Sequence, residues 1–227
     1  MTIRTIACVD VETTGLLPET DRIVEVGCVV WSVEHRCILS AWSDLVDVDG
    51  GNAVEAINRI PAAALSHGDV LGNVLANLRA YANRVDALVA HRAEFDRSFL
   101  EAAGFRSQAP WICSKFDIEW PRSKVGDGLV STALAHGVGV TRAHRALTDC
   151  LTLAYLFERV AESHDLGPLL ERALRPKATF QALVSYDERE MAKSAGFQWD
   201  GAKKRWTRRM AAEDAGLLGF RTQEVQP

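Results

Sequence analysis

The stretch IRTIACVDVETTG, residues 3–15, is largely apolar and β-branched up to Asp10 and then ends in two acids, two threonines and a glycine. Such a run is a strand that delivers polar groups at its C-terminal end. Side chains at i and i+2 of a strand share a face, so Asp10 and Glu12 present two carboxylates side by side. Like charges so placed repel unless a cation sits between them, and paired hard oxygens suit Mg2+ or Mn2+. A strand end whose acids simply face water is the alternative for an isolated D-x-E.

Working outward, Thr13-Thr14-Gly15-Leu16-Leu17-Pro18 is a turn, and residues 23–33 carry Val24, Val26, Cys28 and Val30 at alternate positions, predicting a second strand. Residues 37–46 complete a meander. Residues 73–83 show helical spacing, 87–90 a short buried strand, and 93–103 a helix ended by Gly104. Helices are predicted at 129–136 and, with Leu147, Leu151, Ala154 and Phe157 along one side, at 146–160. This alternation predicts an α/β domain over residues 1–175, a mixed sheet covered by helices. Gly167-Pro168 and Arg175-Pro176 punctuate a boundary over 166–176. A small α+β module follows over 176–227, with a strand at 180–185, a helix at 187–195, and hairpin arms at 197–199 and 205–206 turning at Asp200-Gly201.

The chain has 227 residues, 48% hydrophobic and 25% charged, which fits one globular domain with an appendage and excludes disordered and collagen-like classes. No apolar stretch approaches the ~18–20 residues needed to cross a bilayer, and the start has no signal-peptide pattern, so a cytoplasmic protein without a membrane association is expected. Five cysteines at irregular spacing, with no C-x-x-C, point to buried free thiols. The net charge of −4 is unevenly spread: 17 Lys+Arg face 23 Asp+Glu before residue 176, and nine face seven after it. Nucleic-acid binding by broad electrostatics alone is disfavoured by this balance.

Two further constellations carry chemistry. In His91-Arg92-Ala93-Glu94-Phe95-Asp96, the apolar Phe95, Phe99 and Leu100 leave Asp96 on another flank of a helix start, where an acid also caps the dipole. In His144-Arg145-Ala146-Leu147-Thr148-Asp149, His144 and Asp149 face one site only if His144 lies in the lead-in and Asp149 one turn inside the helix.

Together, D-x-E-T-T-G, H-x-x-x-F-D and H-R-A-x-x-D, in this order over residues 3–162, resemble the DnaQ-like (DEDDh) 3′→5′ exonucleases, with the exonuclease X branch nearest through Trp111-Ile112-Cys113-Ser114 and HRALTDC. The resemblance implies a ribonuclease H-like fold with a five-stranded mixed sheet. It implies that Asp10, Glu12, Asp96 and Asp149 hold two divalent cations, Mg2+ or Mn2+, and that His144 is the general base of phosphodiester hydrolysis at a free 3′ end. Thr13, Thr14, Gly15, Leu16, His91 and Arg92 map onto the substrate-binding positions. The family usually has Asn where this chain has Arg92, which either weakens substrate positioning or lets Arg grip a phosphate. DNA is the expected substrate, with a polymerase or repair protein as the kind of partner implied. An exoribonuclease of the same superfamily and a non-catalytic tethering module are the rival readings. The Gly216-Leu217-Leu218-Gly219-Phe220 run is a weak candidate for the tether. In the module, seven basic residues between Arg189 and Arg209 interleave with Phe197, Trp199 and Trp206. That mixture reads either as a single-strand platform or as a tryptophan core with solvated charges.

Overall fold

The computed structural model describes residues 3–226. In chain order its elements are β1 (Thr5–Thr13), β2 (Ile23–Ser32), β3 (Cys37–Leu45), α1 (Glu55–Asn58), α2 (Ala62–Leu65), α3 (Leu71–Ala82), β4 (Ala87–Ala90), α4 (Ala93–Ala102), β5 (Trp111–Cys113), α5 (Leu129–Ala135), α6 (Ala146–Ala161) and α7 (Leu166–Ala173). The remainder holds β6 (Ala178–Ala182), α8 (Arg189–Ser194), β7 (Gln198–Asp200), β8 (Arg205–Met210), α9 (Ala212–Ala215) and β9 (Thr222–Glu224). None of these helices is long and apolar enough to cross a membrane.

The first twelve elements build a five-stranded mixed sheet in the order β3-β2-β1-β4-β5, the expected ribonuclease H-like arrangement. The meander β1-β2-β3 is antiparallel, whereas β4 and β5 run parallel to β1. Alternation along β1 sorts its side chains between two cores. Ala7, Val9 and Val11 meet Val74, Leu78 and Phe99 from α3 and α4, while Ile6 and Cys8 meet Cys150, Leu153 and Phe157 of α6. Trp31 of β2, fully buried, stacks on Phe157 at 5.9 Å between ring centroids. The residues that continue the α6-facing row of β1 are Asp10 and Glu12, so the strand changes from apolar to acidic just where α6 begins.

Residues 23–33 form the expected strand, and every residue of β2 is buried, its two faces divided between the α6 core and the α3 core. The stretch 166–176, read as a boundary, holds a helix, α7, whose Asp165 side chain accepts the Gly167 N–H at 2.9 Å. Pro168 falls within the first turn, where no intrahelical N–H bond is lost. Finally, Cys8, Cys28 and Cys150 are buried free thiols as expected, but Cys37 is exposed.

The C-terminal segment forms an antiparallel sheet in the order β7-β8-β6-β9, with α8 and α9 packed around Phe180, Ala192, Phe197 and Met210. Its first strand starts and ends earlier than expected, α9 and β9 were not anticipated, and the hairpin turns through residues 201–204 with Lys204 at φ 49°.

Candidate active site

Three elements deliver the four carboxylates. Asp10 and Glu12 come from the end of β1, Asp149 from the first turn of α6, and Asp96 from the first turns of α4. Asp10, Glu12 and Asp149 each place a carboxylate oxygen within 4.8 Å of the others. Asp96, almost fully buried, adjoins this trio through the backbone: past Cys8, where β4 no longer pairs with β1, its Oδ1 accepts the Val11 N–H at 3.0 Å. The capping alternative for Asp96 therefore gives way to a bond between α4 and the strand that carries the other acids.

Crowding and burial act in one direction on all four acids. Burial, then the charges of Asp96, Asp149, Glu12 and Glu25, push Asp10 well above the usual carboxylate range. Glu12 is pushed up to about 8 by burial and by Asp149, Glu25 and Asp96, against a lowering pull from Arg145. Burial takes Asp96 up to about 7 although the Val11 N–H opposes it, and Asp149 is raised by burial against the His144 N–H. Asp10, Glu12 and Asp149 therefore form a set of hard donors whose nearest cation, Arg145, is already paired with Glu25, which fits divalent cations.

What holds Asp149 against β1 lies on β2. Glu25, only 2% exposed, accepts Arg145 Nε at 3.0 Å and Nη2 at 2.9 Å on its two oxygens, and one of those oxygens also takes the Ala146 N–H at 3.0 Å. A strand carboxylate thus accepts the first N–H of α6, one of the donors that a helix start leaves without an intrahelical partner. Two residues on, Gly27 faces Asp10 across the ladder, and a Cβ there would lie 2.5 Å from the Ala146 carbonyl carbon. Absence of that methyl lets the helix start touch the strand. Sequence reasoning missed Glu25 and Gly27; the available signal was a lone acid inside an otherwise apolar strand.

His144 has left-handed backbone at φ 62° in the lead-in to α6, and its N–H donates to Asp149 Oδ2 at 3.2 Å. This is the geometry that lets both residues of the third motif face one place. The exposed imidazole borders an open groove of about 490 Å3 that Arg59 and Arg142 also line. Asn58 ties that groove to the turn after β1, its Nδ2 donating to the Thr13 carbonyl at 3.4 Å.

That turn is knitted internally. Thr13 Oγ1 donates to the Gly15 carbonyl at 2.6 Å, while Asp21 accepts the Leu17 N–H at 2.9 Å and the Thr14 hydroxyl at 3.3 Å. A Cβ on Gly15 would lie 2.4 Å from the Asp21 carboxylate, so any side chain there would push aside the group that closes the turn. Leu16 and Leu17 project into solvent at 76% and 59% exposure, an apolar step beside the acids.

His91 spends both ring nitrogens inside the fold. Nε2 lies 3.1 Å from the Asp127 carbonyl, which can only accept, so Nε2 carries the proton and Nδ1 accepts from Ser114 Oγ at 2.9 Å. Burial pushes this imidazole down to about 4, keeping it neutral. Arg92 is exposed, with left-handed backbone at φ 92° and no capping bond from its side chain. Asn adopts that conformation at less cost than Arg, which gives a backbone reason for the Asn usual in the family.

A family model described as "Exonuclease" (RNase T) matches residues 7–157, the segment that supplies every acid above. The chain belongs to this exonuclease family. Within it stand the DnaQ-like 3′→5′ exonucleases that the three motifs resemble. A second family, "Domain of unknown function (DUF8626)", matches residues 178–225. The DNA polymerase III subunit epsilon of Treponema pallidum is 30% identical over 165 residues, covering 68% of this chain and 75% of the relative. The 3′-5′ exonuclease DinG of Staphylococcus aureus is 26% identical over 215 residues, 86% of this chain but 23% of the relative. A PolC-type DNA polymerase III of Thermotoga petrophila is 26% identical over 173 residues, and the chain spans only 12% of its length. Among solved structures, exonuclease X in complex with 5′ overhanging duplex DNA superposes with a TM-score of 0.57 at 24% identity, covering 74% of this chain and 99% of that one. Escherichia coli exonuclease I in complex with a dT13 oligonucleotide gives 0.60 at 14% identity, over 84% and 50%. Both likenesses are of fold.

Proposed function

We propose that this exonuclease hydrolyses DNA one nucleotide at a time from the 3′ end, with His144 as the general base. The observation that carries the reading is the meeting of Asp10, Glu12 and Asp149 within 4.8 Å, with Asp96 behind them. These four residues would hold a pair of divalent cations, Mg2+ or Mn2+. When bound, such cations supply a water acidic enough to attack and a counter-charge for the departing 3′ oxygen. The chain's own residues do the rest. Leu16 and Leu17 offer an apolar step for the terminal sugar and base, next to the rigid Thr13–Gly15 turn. Arg59 and Arg142 line the groove beside His144 and suit the phosphates of the strand. His144, tethered by its own N–H to Asp149 and with no side-chain hydrogen bond among the described residues, removes the proton from the attacking water. His91 acts from behind, fixing residues 114–127 against the end of β4.

DNA is favoured over RNA because the epsilon and PolC-type relatives are named as parts of DNA polymerase III. The test is full-length protein with Mg2+ on 3′- and 5′-labelled DNA and RNA oligonucleotides. Release of labelled mononucleotide from the 3′ end of DNA is expected. His144→Ala should lower turnover by about 10²–10⁴ with little change in substrate binding. Cleavage from the 5′ end, internal cutting, or a preference for RNA would overturn this reading.

A further inference from the structure

The DUF8626 module is fastened to the exonuclease domain through its acids. Asp214 accepts Arg175 Nη2 at 2.7 Å and Arg172 Nη2 at 2.9 Å, and Glu213 lies 3.6 Å from Arg175. Arg172 also pairs with Glu119, and Lys177 pairs with Asp117 at 3.1 Å where both side chains are about nine-tenths buried. Gly196 of the module abuts Val125, since a Cβ there would lie 3.1 Å from Val125 Cγ1.

Glu119, Asp117 and Val125 belong to one segment, the chain that follows β5. Because β5 runs parallel to β1 through β4, this segment emerges at the end of the sheet that bears Asp10 and Glu12. Ser114 and Asp127 of the same segment are the residues that hold His91. The module therefore rests on the loop that borders the active site.

This docking sorts the module's charge. Two acids are spent on the domain, Glu188 bonds Ser185, Glu190 lies near Lys193, and Asp200 takes the N–H groups of Ala202 and Lys203 to close the hairpin turn. Asp187 and Glu224 apart, what is left over is basic. Between residues 198 and 209, Lys203, Lys204, Arg205, Arg208 and Arg209 face only Asp200. Among the described residues no carboxylate lies within 4 Å of the cationic groups of Lys203, Lys204, Arg205 or Arg209. At the same hairpin Trp199 lies across the ladder from Trp206, with ring centroids 5.6 Å apart. Trp206 packs on the module's apolar core and braces Trp199, which stays 53% exposed. The core and platform alternatives thus divide between the two tryptophans.

We infer that the β7–β8 hairpin of the DUF8626 module is a second binding site, for single-stranded DNA, in which a base stacks on Trp199 and phosphates meet Lys203, Lys204 and Arg205. The choice of occupant rests on the proposed exonuclease activity; the charge and the braced indole call for a polyanion with flat apolar faces. A surface of this kind binds without reading sequence, with stacking and salt-sensitive phosphate contacts in parallel. Since the module is held against the loop bordering the active site, strands long enough to reach both sites gain from it and very short ones do not.

The test measures binding of full-length protein to fluorescent oligodeoxythymidylate of 3 and 20 nucleotides, in EDTA so that no hydrolysis intervenes, across 0.05–0.3 M salt. For the 20-mer, Lys203→Gln with Lys204→Gln should weaken binding several-fold at 0.1 M salt and reduce the slope of log K against log salt by about 1.4, two contacts at about 0.7 each. Trp199→Ala should weaken it about tenfold without changing the slope, and Trp199→Phe should restore most of the loss. The trimer should respond to none of these changes. Unchanged 20-mer affinity and slope in the lysine variant, whose exposed turn leaves folding intact by circular dichroism, would overturn the site. A protein that binds the 20-mer as expected but releases no 3′ nucleotide with Mg2+ would instead refute the exonuclease reading and leave the hairpin standing.

Discussion

Removing divalent cations should make this protein less stable as pH rises through neutrality, contrary to the usual behaviour of carboxylates in ion pairs. Glu12 and Asp96 have folded pKa values raised to about 8 and about 7, against 4.5 and 3.8 as ordinary side chains. An acid raised in this way binds its proton more tightly folded than unfolded, so its share of stability is present at low pH and lost as pH climbs toward the folded value. Between pH 6.5 and 8.0 the loss amounts to about 1.5 kcal/mol from Glu12 and about 1 kcal/mol from Asp96. Asp10 and Asp149 shift in the same sense. His91 works oppositely, since its pKa is lowered to about 4, and across this window it returns about 0.4 kcal/mol. For a chain of this size a net loss of about 2 kcal/mol lowers Tm by about 4–8 °C. The assay is calorimetric melting at pH 6.5, 7.25 and 8.0, in EDTA and in 5 mM Mg2+. Tm should fall with pH in EDTA, hold level in Mg2+, and lose more than half of its slope in Glu12→Gln. A Tm that is flat in EDTA over this window, or indifferent to Mg2+, would refute the claim that these acids repel one another across an ion site.

Other consequences follow from how α6 is seated. Gly27→Ala puts a methyl 2.5 Å from the Ala146 carbonyl carbon, and the displaced helix should carry Asp149 away from Glu12. Turnover should drop about 100-fold or more in steady-state kinetics while the melting transition remains cooperative. Arg145→Met leaves Glu25 buried and unpaired, which should cost about 3–5 kcal/mol in urea unfolding. Arg92→Asn, at φ 92°, should instead stabilise the protein by about 1 kcal/mol in the same measurement.

Local patterns made much of this legible. An apolar run ending in acids placed Asp10 and Glu12 on one face of β1, and the strong 3.6-residue period of α6 placed Asp149 in its first turn with His144 just ahead. The exonuclease family and the mixed sheet followed from those pieces. What escaped was long-range. Glu25 drew no notice, because alternation cannot reveal that both faces of β2 are covered. Asp21, six residues beyond Gly15, closes the turn after β1 through contacts that no spacing rule encodes. His91 was expected to touch substrate, whereas both of its nitrogens bind residues 23 and 36 positions away. α7 was masked by Gly167-Pro168, two residues that punctuate loops and are also tolerated in a helix's first turn.

Asp10 alone touches every part of this account, since its carboxylate adjoins Glu12, Asp149 and Asp96. The most direct measurement is therefore release of the 3′-terminal nucleotide from a labelled DNA strand by wild type and Asp10→Asn, each with saturating Mg2+ and each checked for an intact melting transition. The carboxylate site predicts that the wild type trims the strand and that Asp10→Asn, although folded, shows no release above background. Near-normal release by folded Asp10→Asn would contradict it.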